Sequence, residues 1–314
     1  MSNSQTILVT GINGFVGNHL ARELKDQGHI VIGVGLDTSL ATALKPYISR
    51  YIGSCDLTHK SAVEKLPLSE VDSIINLAGL AQMGASFESA KQYMQTNVLV
   101  HTNVAEHLLS KRNRATRLLA ISSGTVYESH QPMPLTEDST LITESSPYAM
   151  SKVAMEKALL GHKKDGLNVI IARPFNHIGP GQAEGFLVPD LTKRLLSSDV
   201  LTVGNLKTKR DYTDVRDVVK AYALLATLPE LHHTVYNICS GRSVSGETVL
   251  KSILKELDKK SVSLKVDQSR MRPNDPQDIV GDNSRIEHDT GWQAHIPLEQ
   301  TIRDFVAWYK QQSA

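Results

Sequence analysis

Tyr148 and Lys152 are the residues of this sequence best suited to proton chemistry, because they are four positions apart. Residues at that spacing lie on one face of a helix, so a lysine ammonium can stand beside a phenol. A neighbouring cation favours the phenolate and lowers the pKa of tyrosine, which is ordinarily near ~10. A lowering of about three units requires roughly 4 kcal/mol of differential interaction. The pair predicts a tyrosine that exchanges a proton with an alcohol or sugar oxygen, and the alternative is two exposed helical residues at a common spacing.

A glycine-rich turn near the start of the chain predicts a cofactor site. The apolar run Thr6–Thr10 is typical of a buried parallel strand, and it leads into the sequence Gly-Ile-Asn-Gly-Phe-Val-Gly of residues 11–17. Here Gly11 permits the tight turn, Gly14 lets the backbone approach a pyrophosphate, and Gly17 lets helix pack on strand. The helix that follows offers free N–H groups to the anion. We therefore expect a dinucleotide, whose nicotinamide ring would add positive charge near Tyr148; a turn that merely tolerates glycine is the alternative.

Two acids follow the second and third strands, at the edge of a parallel sheet where ligands bind. Gly35 stands where an acid would hold the ribose 2′-hydroxyl of NAD, and Asp37 comes two places later. The choice between NAD and NADP as cofactor therefore stays open, and Asp37 is either a ribose ligand or a turn residue. Asp56, followed by Leu57, is either an adenine ligand or a helix N-cap.

Small and hydroxylated residues follow the fourth and fifth strands. Residues 76–79, Asn-Leu-Ala-Gly, let a cofactor lie against the backbone or simply suit a turn. Ser122 and Ser123 end the fifth strand, where a hydroxyl can bind a substrate oxygen beside the tyrosine. Ser146 and Pro147 mark a helix start that fixes Tyr148 in the first turn.

Strands alternate with helices along the first part of the chain, which predicts an α/β fold with a doubly wound parallel sheet. After about residue 174 the pattern changes, with a turn-rich loop at 175–182 and later helices and strands that indicate a smaller mixed α/β substrate-binding lobe. We expect a dinucleotide-binding domain of residues 1–174 plus about 211–239, and a second lobe of about 175–210 and 240–314. The predicted strands are 6–10, 29–34, 73–77, 117–121, 169–172, 200–203, 234–238 and 262–266. The predicted helices are 18–27, 61–66, 88–109, 148–162, 186–197, 215–227, 246–257 and 297–311.

Composition limits the class of protein. Of 314 residues, 40% are hydrophobic and 21% charged, which suits a packed core, and a net charge of +1 argues against a nucleic-acid-binding surface. Cys55 and Cys239 form no disulfide framework, so a reducing compartment is the simpler interpretation. No apolar run approaches the ~18 residues of a membrane span, and the start lacks signal-peptide features. We expect a cytoplasmic protein, and no metal site because the 12 histidines lack ligand spacing.

Together these motifs resemble the extended short-chain dehydrogenase/reductase family, in its nucleotide-sugar branch, over almost the whole chain. The supporting segments are residues 11–17, 122–127, 146–152, 173–176 and 272–275. The resemblance implies a Rossmann fold, NAD(H) or NADP(H) as cofactor, a catalytic triad of Ser123, Tyr148 and Lys152, and a homodimer through a four-helix contact of helices 88–109 and 148–162. The implied cofactor-binding residues are Gly11, Asn13, Gly14, Phe15, Val16, Gly17, Asp37, Asp56, Leu57, Leu77, Ala78, Gly79, Asn97, Tyr148 and Lys152.

Two details bear on the reaction. Related sugar-nucleotide 4,6-dehydratases carry an acid two places before the tyrosine that matches Tyr127, often preceded by another; here the two places hold Gly124 and Thr125, which disfavours dehydration. Segments 173–182, 210–214, 270–275 and 290–292 most resemble the GDP-4-keto-6-deoxy-D-mannose reductases.

That resemblance implies a nucleoside-diphosphate sugar, most favourably GDP-linked, as substrate. Asn176, Arg210 and Arg272 would face its phosphates, Asp275 its ribose, and the backbone around Val188 its base. Two arginines can fork onto a diphosphate, while the alternative for each is a surface salt bridge, with Arg210 and its neighbour Asp211 simply solvated. The expected reaction is NAD(P)H-dependent reduction of a C4 ketone, in which Ser123 also contacts the sugar. A 4-epimerase with bound NAD and a non-catalytic dinucleotide sensor are the alternatives.

Overall fold

The computed structural model of the protein describes residues 4–82, 86–260, 262–268 and 275–313. Its strands, in chain order, are β1 (Thr6–Thr10), β2 (Ile30–Val34), β3 (Arg50–Ile52), β4 (Ser73–Asn76), β5 (Arg117–Ile121), β6 (Val169–Pro174), β7 (Asn176–Ile178), β8 (Val200–Val203), β9 (Lys209–Asp214), β10 (Val235–Ile238), β11 (Ser243–Ser245), β12 (Ser263–Val266) and β13 (Asp278–Ile279). Its helices are α1 (Phe15–Asp26), α2 (Lys60–Val63), α3 (Ala90–Ser110), α4 (Pro147–Lys164), α5 (Leu187–Ser197), α6 (Val215–Thr227), α7 (Gly246–Glu256), α8 (Ser284–Thr290) and α9 (Leu298–Ser313).

Seven of the strands form one parallel sheet in the order β10-β6-β5-β4-β1-β2-β3. These strands are short apolar runs, which a sheet covered on both faces requires. The strand order reverses between β1 and β4, and ligands of such sheets bind in the crevice outside the carboxyl ends at that point. The predicted doubly wound Rossmann sheet is confirmed.

Two apolar clusters cover the faces of this sheet. On one face α1 and α6 pack through residues such as Leu20, Leu24 and Tyr222. On the other face α3 and α4 pack through residues such as Leu108 and Leu159. The spacing of four between Leu20 and Leu24 is the helical period that the sequence predicted for this segment. The helices therefore hold both faces of the sheet and leave its strand ends available for a site.

A smaller mixed sheet is built around β9, which pairs in parallel with β7 and β13 and antiparallel with β11. The predicted turn-rich loop at 175–182 was wrong in part, because Asn176–Ile178 pairs with β9 as a strand. Strands β8 and β12 form a separate parallel pair, and α5, α7 and α9 enclose a third apolar cluster. Because β9 runs across the expected boundary at residue 210, the division into two lobes at the stated residues stays a prediction.

None of the helices in the described residues combines the length and the apolar character that crossing a membrane requires. Cys55 and Cys239 are both buried and free.

Candidate active site

The glycine turn brings β1, β4 and α1 close together. Gly11 has a φ of 65°, and a side chain there would lie 3.3 Å from backbone atoms of Leu77 and Ala78. A Cβ at Gly17 would lie 2.5 Å from the carbonyl oxygen of Ile12, closer than real contacts allow. The roles predicted for these two glycines, a tight turn and a close helix–strand approach, agree with this geometry.

The N-terminus of α1 can receive an anion. Gly14 is the N-cap, and no described side chain caps the helix there. The backbone N–H groups at Phe15 and Val16 therefore belong to an uncapped first turn, which attracts a phosphate through its N–H groups and the helix dipole. The backbone of the turn fits the diphosphate of a dinucleotide.

Asn13 connects this turn to the residues after β2. Its side-chain Nδ2 donates to Asp37 Oδ2 at 2.7 Å and to the carbonyl oxygen of Ser39 at 3.1 Å, while its Oδ1 accepts from the backbone N–H of Ala41 at 3.1 Å. The carboxylate of Asp37 therefore stands beside the glycine turn, where a ribose ligand is expected. That Asp37 binds the ribose stays a prediction.

Asp56 stabilises the turn after β3 rather than the start of a helix. Its Oδ1 accepts from the backbone N–H of Thr58 at 2.9 Å and from the Thr58 hydroxyl at 2.7 Å. The N-cap of α2 is His59, so the N-cap alternative for Asp56 was wrong. Leu57 is buried in the apolar cluster behind the turn.

The strand ends at the switch point are tied by hydroxyl and amide groups. Thr10 Oγ1 donates to Asn76 Oδ1 at 2.6 Å and accepts from the N–H of Ala78 at 3.0 Å. This hydrogen bonding holds Leu77, Ala78 and Gly79 next to the glycine turn, as expected for cofactor-facing backbone.

Asn97 lies on α3 beneath this loop. Its Oδ1 accepts from the N–H of Leu80 at 2.8 Å, and its Nδ2 donates to the Leu80 carbonyl at 3.1 Å and to Ser151 Oγ at 2.9 Å. Both amide hydrogens thus bind groups of the chain, and Asn97 positions the loop after β4 against α4. A direct contact with the cofactor stays a prediction.

Ser123 and Tyr148 meet at the carboxyl edge of β5. Ser123 Oγ accepts from the N–H of Thr125 at 3.2 Å and from its hydroxyl at 3.0 Å. Ser146 is the N-cap of α4, accepting from the Ala149 N–H at 3.3 Å, with Pro147 in the first turn, so the predicted helix start is confirmed. The Ser123 hydroxyl lies close enough to the Tyr148 phenol to lower its pKa as a hydrogen-bond donor.

The pKa of Tyr148 differs from the expectation. Burial raises it above the ordinary value, the hydrogen bond with Ser123 lowers it by less, and the nearby phenol of Tyr93 raises it further. The lowered pKa expected from the spacing of Tyr148 and Lys152 was wrong for the chain by itself, because desolvation outweighs the stabilising contact. The phenol is therefore held in its protonated form.

Lys152 is buried beside the end of β5. Its side chain is nearly covered, with 6% of the residue exposed, and its Nζ donates to the carbonyl oxygen of Ile121 at 2.7 Å. Burial lowers the pKa of Lys152 to about 8, while the carboxylate of Glu156 raises it. The structure thus brings all three predicted catalytic residues to one strand end.

A buried ion pair behind the triad was missed from the sequence. Arg173 on β6 donates to Glu156 on α4 through Nε at 2.9 Å and through a terminal nitrogen at 2.6 Å. Glu156 follows Lys152 by four residues, so the same spacing rule could have found it. Nothing in the local pattern indicated Arg173 as its partner, because that pairing joins residues of separate elements.

Two stacked side-chain rings, Phe15 after the glycine turn and His177 on β7, connect the start of α1 with the smaller sheet. The rings of Phe15 and His177 stack with centroids 6.0 Å apart at 14°, and His177 Nδ1 lies 3.2 Å from the carbonyl oxygen of Phe175. Phe15 thus contributes a side-chain surface as well as a backbone N–H group.

Two of the residues expected to bind substrate, Asn176 and Arg210, lie on the smaller sheet. Arg210 is 20% exposed and pairs with Asp275 at 2.6 Å, while Asn176 is exposed and donates to the carbonyl oxygen of Asp211 at 3.4 Å. Asp211 is fully buried and accepts from the N–H and hydroxyl of Ser240, so a solvated Asp211 was wrong. The salt bridge expected as the alternative for Arg210 is present, with Asp275 as the partner.

Two further substrate predictions concern other segments. The side chain of Val188 is fully buried in the cluster of the second lobe, which leaves its backbone as the part available to a base. Arg272 lies outside the described residues. Within the described ranges, no three His, Cys, Asp or Glu side chains are grouped to hold a metal ion.

Comparisons with known proteins identify the family of the chain. A sequence profile of the NAD dependent epimerase/dehydratase family matches residues 7–239. The chain is 31% identical over 308 residues to GDP-6-deoxy-D-mannose reductase of Pseudomonas aeruginosa, covering 96% of this chain and 95% of that protein. It is 28% identical over 349 residues to UDP-glucose 4-epimerase of Pisum sativum, covering 99% and 97%.

A comparison with solved structures also finds a relative from Pseudomonas aeruginosa. RMD from Pseudomonas aeruginosa complexed with NADPH matches with a TM-score of 0.81 and 28% identity, covering 98% of this chain and 100% of that one. The resemblance drawn from the motifs is confirmed. The chain belongs to the NAD dependent epimerase/dehydratase family, and it is an NAD(P)-dependent oxidoreductase.

Proposed function

We propose that this enzyme reduces the C4 ketone of a nucleoside-diphosphate 4-keto-6-deoxysugar, with GDP-4-keto-6-deoxy-D-mannose as the favoured substrate and GDP-6-deoxy-D-mannose (GDP-rhamnose) as product. The observation that carries the proposal is the placement of Tyr148, Ser123 and Lys152 together at the sheet edge next to the dinucleotide turn. The reductase relative supports the choice of reaction.

The mechanism assigns one role to each residue of the triad. A nicotinamide cofactor bound at the glycine turn would supply hydride to C4. Tyr148 donates its hydroxyl proton to the C4 oxygen. Burial raises the pKa of Tyr148 in the free protein, which keeps the phenol protonated but opposes its proton loss, and the Lys152 ammonium would offset part of that cost. General acid catalysis of this kind contributes about 10²–10⁴-fold. Ser123 holds the same oxygen by a hydrogen bond, and Lys152 binds the nicotinamide ribose and compensates the phenolate left after transfer.

The substrate's nucleotide is assigned to the smaller lobe. The half-buried pair of Arg210 and Asp275 would open onto a phosphate and a ribose, respectively. Asn176 and Arg272 are the further phosphate contacts, and the backbone at Val188 meets the base.

A 4-epimerase is the second candidate, because UDP-glucose 4-epimerases are relatives over nearly the whole chain. An epimerase would retain NAD and need no added cofactor, whereas a reductase consumes stoichiometric NAD(P)H. A non-catalytic dinucleotide sensor is the third candidate, and the intact triad argues against it.

Substrate trials separate these candidates. The protein is incubated with GDP- and dTDP-4-keto-6-deoxysugars and with UDP-glucose, each with NADH, with NADPH and without cofactor, and products are identified by NMR. We expect reduction of the GDP-linked keto sugar with cofactor consumed. Interconversion of UDP-glucose without added cofactor would instead establish the epimerase, and no turnover of any sugar would leave the sensor.

Replacing Tyr148 with Phe tests the acid. We expect turnover to fall about 10²–10⁴-fold, since the proton donor is lost, while cofactor affinity changes little. Fluorescence titration with NAD(P)H measures affinity, and Tyr47→Phe, on a half-buried tyrosine away from the triad, is the matched control. Turnover at the wild-type rate in Tyr148→Phe would remove the tyrosine from the mechanism.

The proposal includes a cytoplasmic homodimer joined by α3 and α4. Met94 and Leu99 on α3 are apolar and 36% and 37% exposed, as an interface helix would be in an isolated chain. Light scattering that gives a monomer mass at working concentration would contradict the dimer.

A further inference from the structure

Glu156 is held by three donors in the interior of the protein. Its side chain is 1% exposed and that of its partner Arg173 is 4% exposed. Arg173 grips both carboxylate oxygens, and the hydroxyl of Ser122 donates to Oε1 at 2.5 Å. Ser122 immediately precedes Ser123, so this carboxylate is bonded to the strand end that carries the predicted substrate hydroxyl.

The charge of Glu156 also acts on Lys152. Lys152 and Glu156 are one helical turn apart on α4, a spacing that brings side chains to about 5–6 Å between Cβ atoms. Among the described residues, the charged and titratable groups around the ammonium are Tyr148 and Glu156 on its own helix, His101 on α3, and Arg173 of β6 behind the carboxylate. His101 is neutral, because burial and the nearby ammonium lower its pKa to about 3.

A buried ammonium tends to lose its proton unless an opposite charge is fixed nearby. Glu156 is the one carboxylate among the groups that act on Lys152 in the described residues. Arg173 and Ser122 together fix its orientation, since each donor binds a carboxylate oxygen.

We propose that Glu156 is a positioning residue for the active site, a carboxylate clamped by Arg173 and Ser122 that keeps the Lys152 ammonium charged and aligned behind Tyr148. This role rests on the proposed function for its catalytic meaning, but the charge relation itself belongs to the free protein. Glu156 would be a fourth residue of the active site after the triad, and Arg173, which orients Glu156, would be a fifth.

A titration of the free protein tests the charge relation. Lysine is labelled with ¹³C at Cε, and the Lys152 signal is identified by its loss in Lys152→Arg. We expect a pKa of about 8 in the wild type. In Glu156→Gln it should fall by about 1–3 units. Glu137→Gln, which alters another buried glutamate by the same chemical change, should leave the Lys152 pKa in place.

A second variant serves as the control if Glu156→Gln fails to fold. Because Glu156→Gln removes the carboxylate that neutralises the buried Arg173, circular dichroism must establish that the variant folds. If it does not fold, the double variant Glu156→Leu/Arg173→Met, which replaces the buried pair by apolar side chains, is titrated in its place. A lowered Lys152 pKa in a folded variant supports the proposal. A Lys152 pKa still at about 8 in a folded variant lacking Glu156 overturns it.

The pH dependence of kcat distinguishes the positioning role from a purely structural role, which would not change the shape of the profile. We expect the basic limb of the kcat profile of Glu156→Gln to shift to lower pH by the same amount as the Lys152 pKa, so that activity is largely rescued below that pKa. An equal loss at every pH would overturn the positioning role. If the wild type turns over no keto sugar, the proposed function fails, while the titration still decides the role of Glu156.

Discussion

The Lys152 ammonium carries a stability cost at neutral pH. Burial lowers its pKa from 10.5 to about 8, so the charged form is disfavoured in the folded protein. A difference of that size corresponds to about 3 kcal/mol. Because the folded pKa lies below the unfolded one, the unfolded chain binds more protons between them, and the cost is full below pH 8 and declines as pH rises towards 10.5.

We therefore expect Lys152→Met to be more stable than the wild type by about 1–3 kcal/mol at pH 7, although inactive. Urea unfolding at pH 7 and pH 10 measures this, and the difference should shrink at pH 10. Lys157→Met, at an exposed lysine of the same helix, is the control. Equal stability of Lys152→Met and the wild type at pH 7 would contradict the cost assigned to the ammonium.

Asp37 bears on the choice between NADH and NADPH. Its carboxylate is fixed beside the glycine turn by Asn13 and would repel a 2′-phosphate bound there. We expect NADH to give the higher kcat/KM, and Asp37→Ser to shift the ratio towards NADPH by about tenfold, which is 1.4 kcal/mol. Steady-state kinetics with both cofactors measure the ratio. Since RMD was solved with NADPH, a wild-type preference for NADPH is the outcome that would remove this role.

At the scale of the element, helix α4 positions Tyr148 and Lys152. Ser146 caps its N-terminus and Pro147 starts its first turn, one residue before Tyr148. Ser146→Ala should cost about 1 kcal/mol of stability, as N-cap losses do. It should also lower kcat more than it raises the KM for cofactor, because the first turn frays around the tyrosine. Thermal unfolding and kinetics test this, with Ser245→Ala at the N-cap of α7 as the control that lowers stability alone.

The sequence predicted elements whose signal is local. Short apolar runs gave β1, β2, β5 and β10 within a residue or two, and capping residues gave α4. Strand β9 was missed because its sequence, Lys-Arg-Asp-Tyr-Thr-Asp, is polar. Its buried Asp211 is tolerated because Ser240, Gly241 and Gly281 donate to it from distant segments.

For the candidate site, the sequence predicted which residues come together but not their charge states. Motif residues gave the triad, but the charge states depend on burial that no spacing reveals. Tyr148 lies where desolvation raises its pKa, and the partner of Glu156 comes from another element, so neither feature can be read from residues 148–156.

At the scale of the whole molecule, the C-terminal segment packs against both the cluster of the main sheet and the cluster enclosed by α5, α7 and α9. Trp292 is buried in the cluster of the main sheet and donates from its indole to the carbonyl oxygen of Asp217 on α6. The second tryptophan, Trp308, packs in the cluster of the smaller lobe. The chain therefore holds one fluorescent reporter in each part.

We expect the two parts to unfold in one cooperative transition. In urea, the single-tryptophan variants Trp308→Phe and Trp292→Phe should each show fluorescence midpoints that coincide with circular dichroism of the same variant. Trp292→Ala should lower the free energy of unfolding by about 3–5 kcal/mol. Separated midpoints for fluorescence and circular dichroism would mean that the lobes unfold independently.

The position of β10 has a consequence for biosynthesis. This strand covers the outer edge of β6, yet about sixty residues separate the two along the chain. While a ribosome makes that interval, the six buried residues of β6 present an unpaired backbone edge, the kind of surface that invites aggregation. The nascent polypeptide thus needs shielding by a chaperone, or by its own later segments, until residue 238 has emerged.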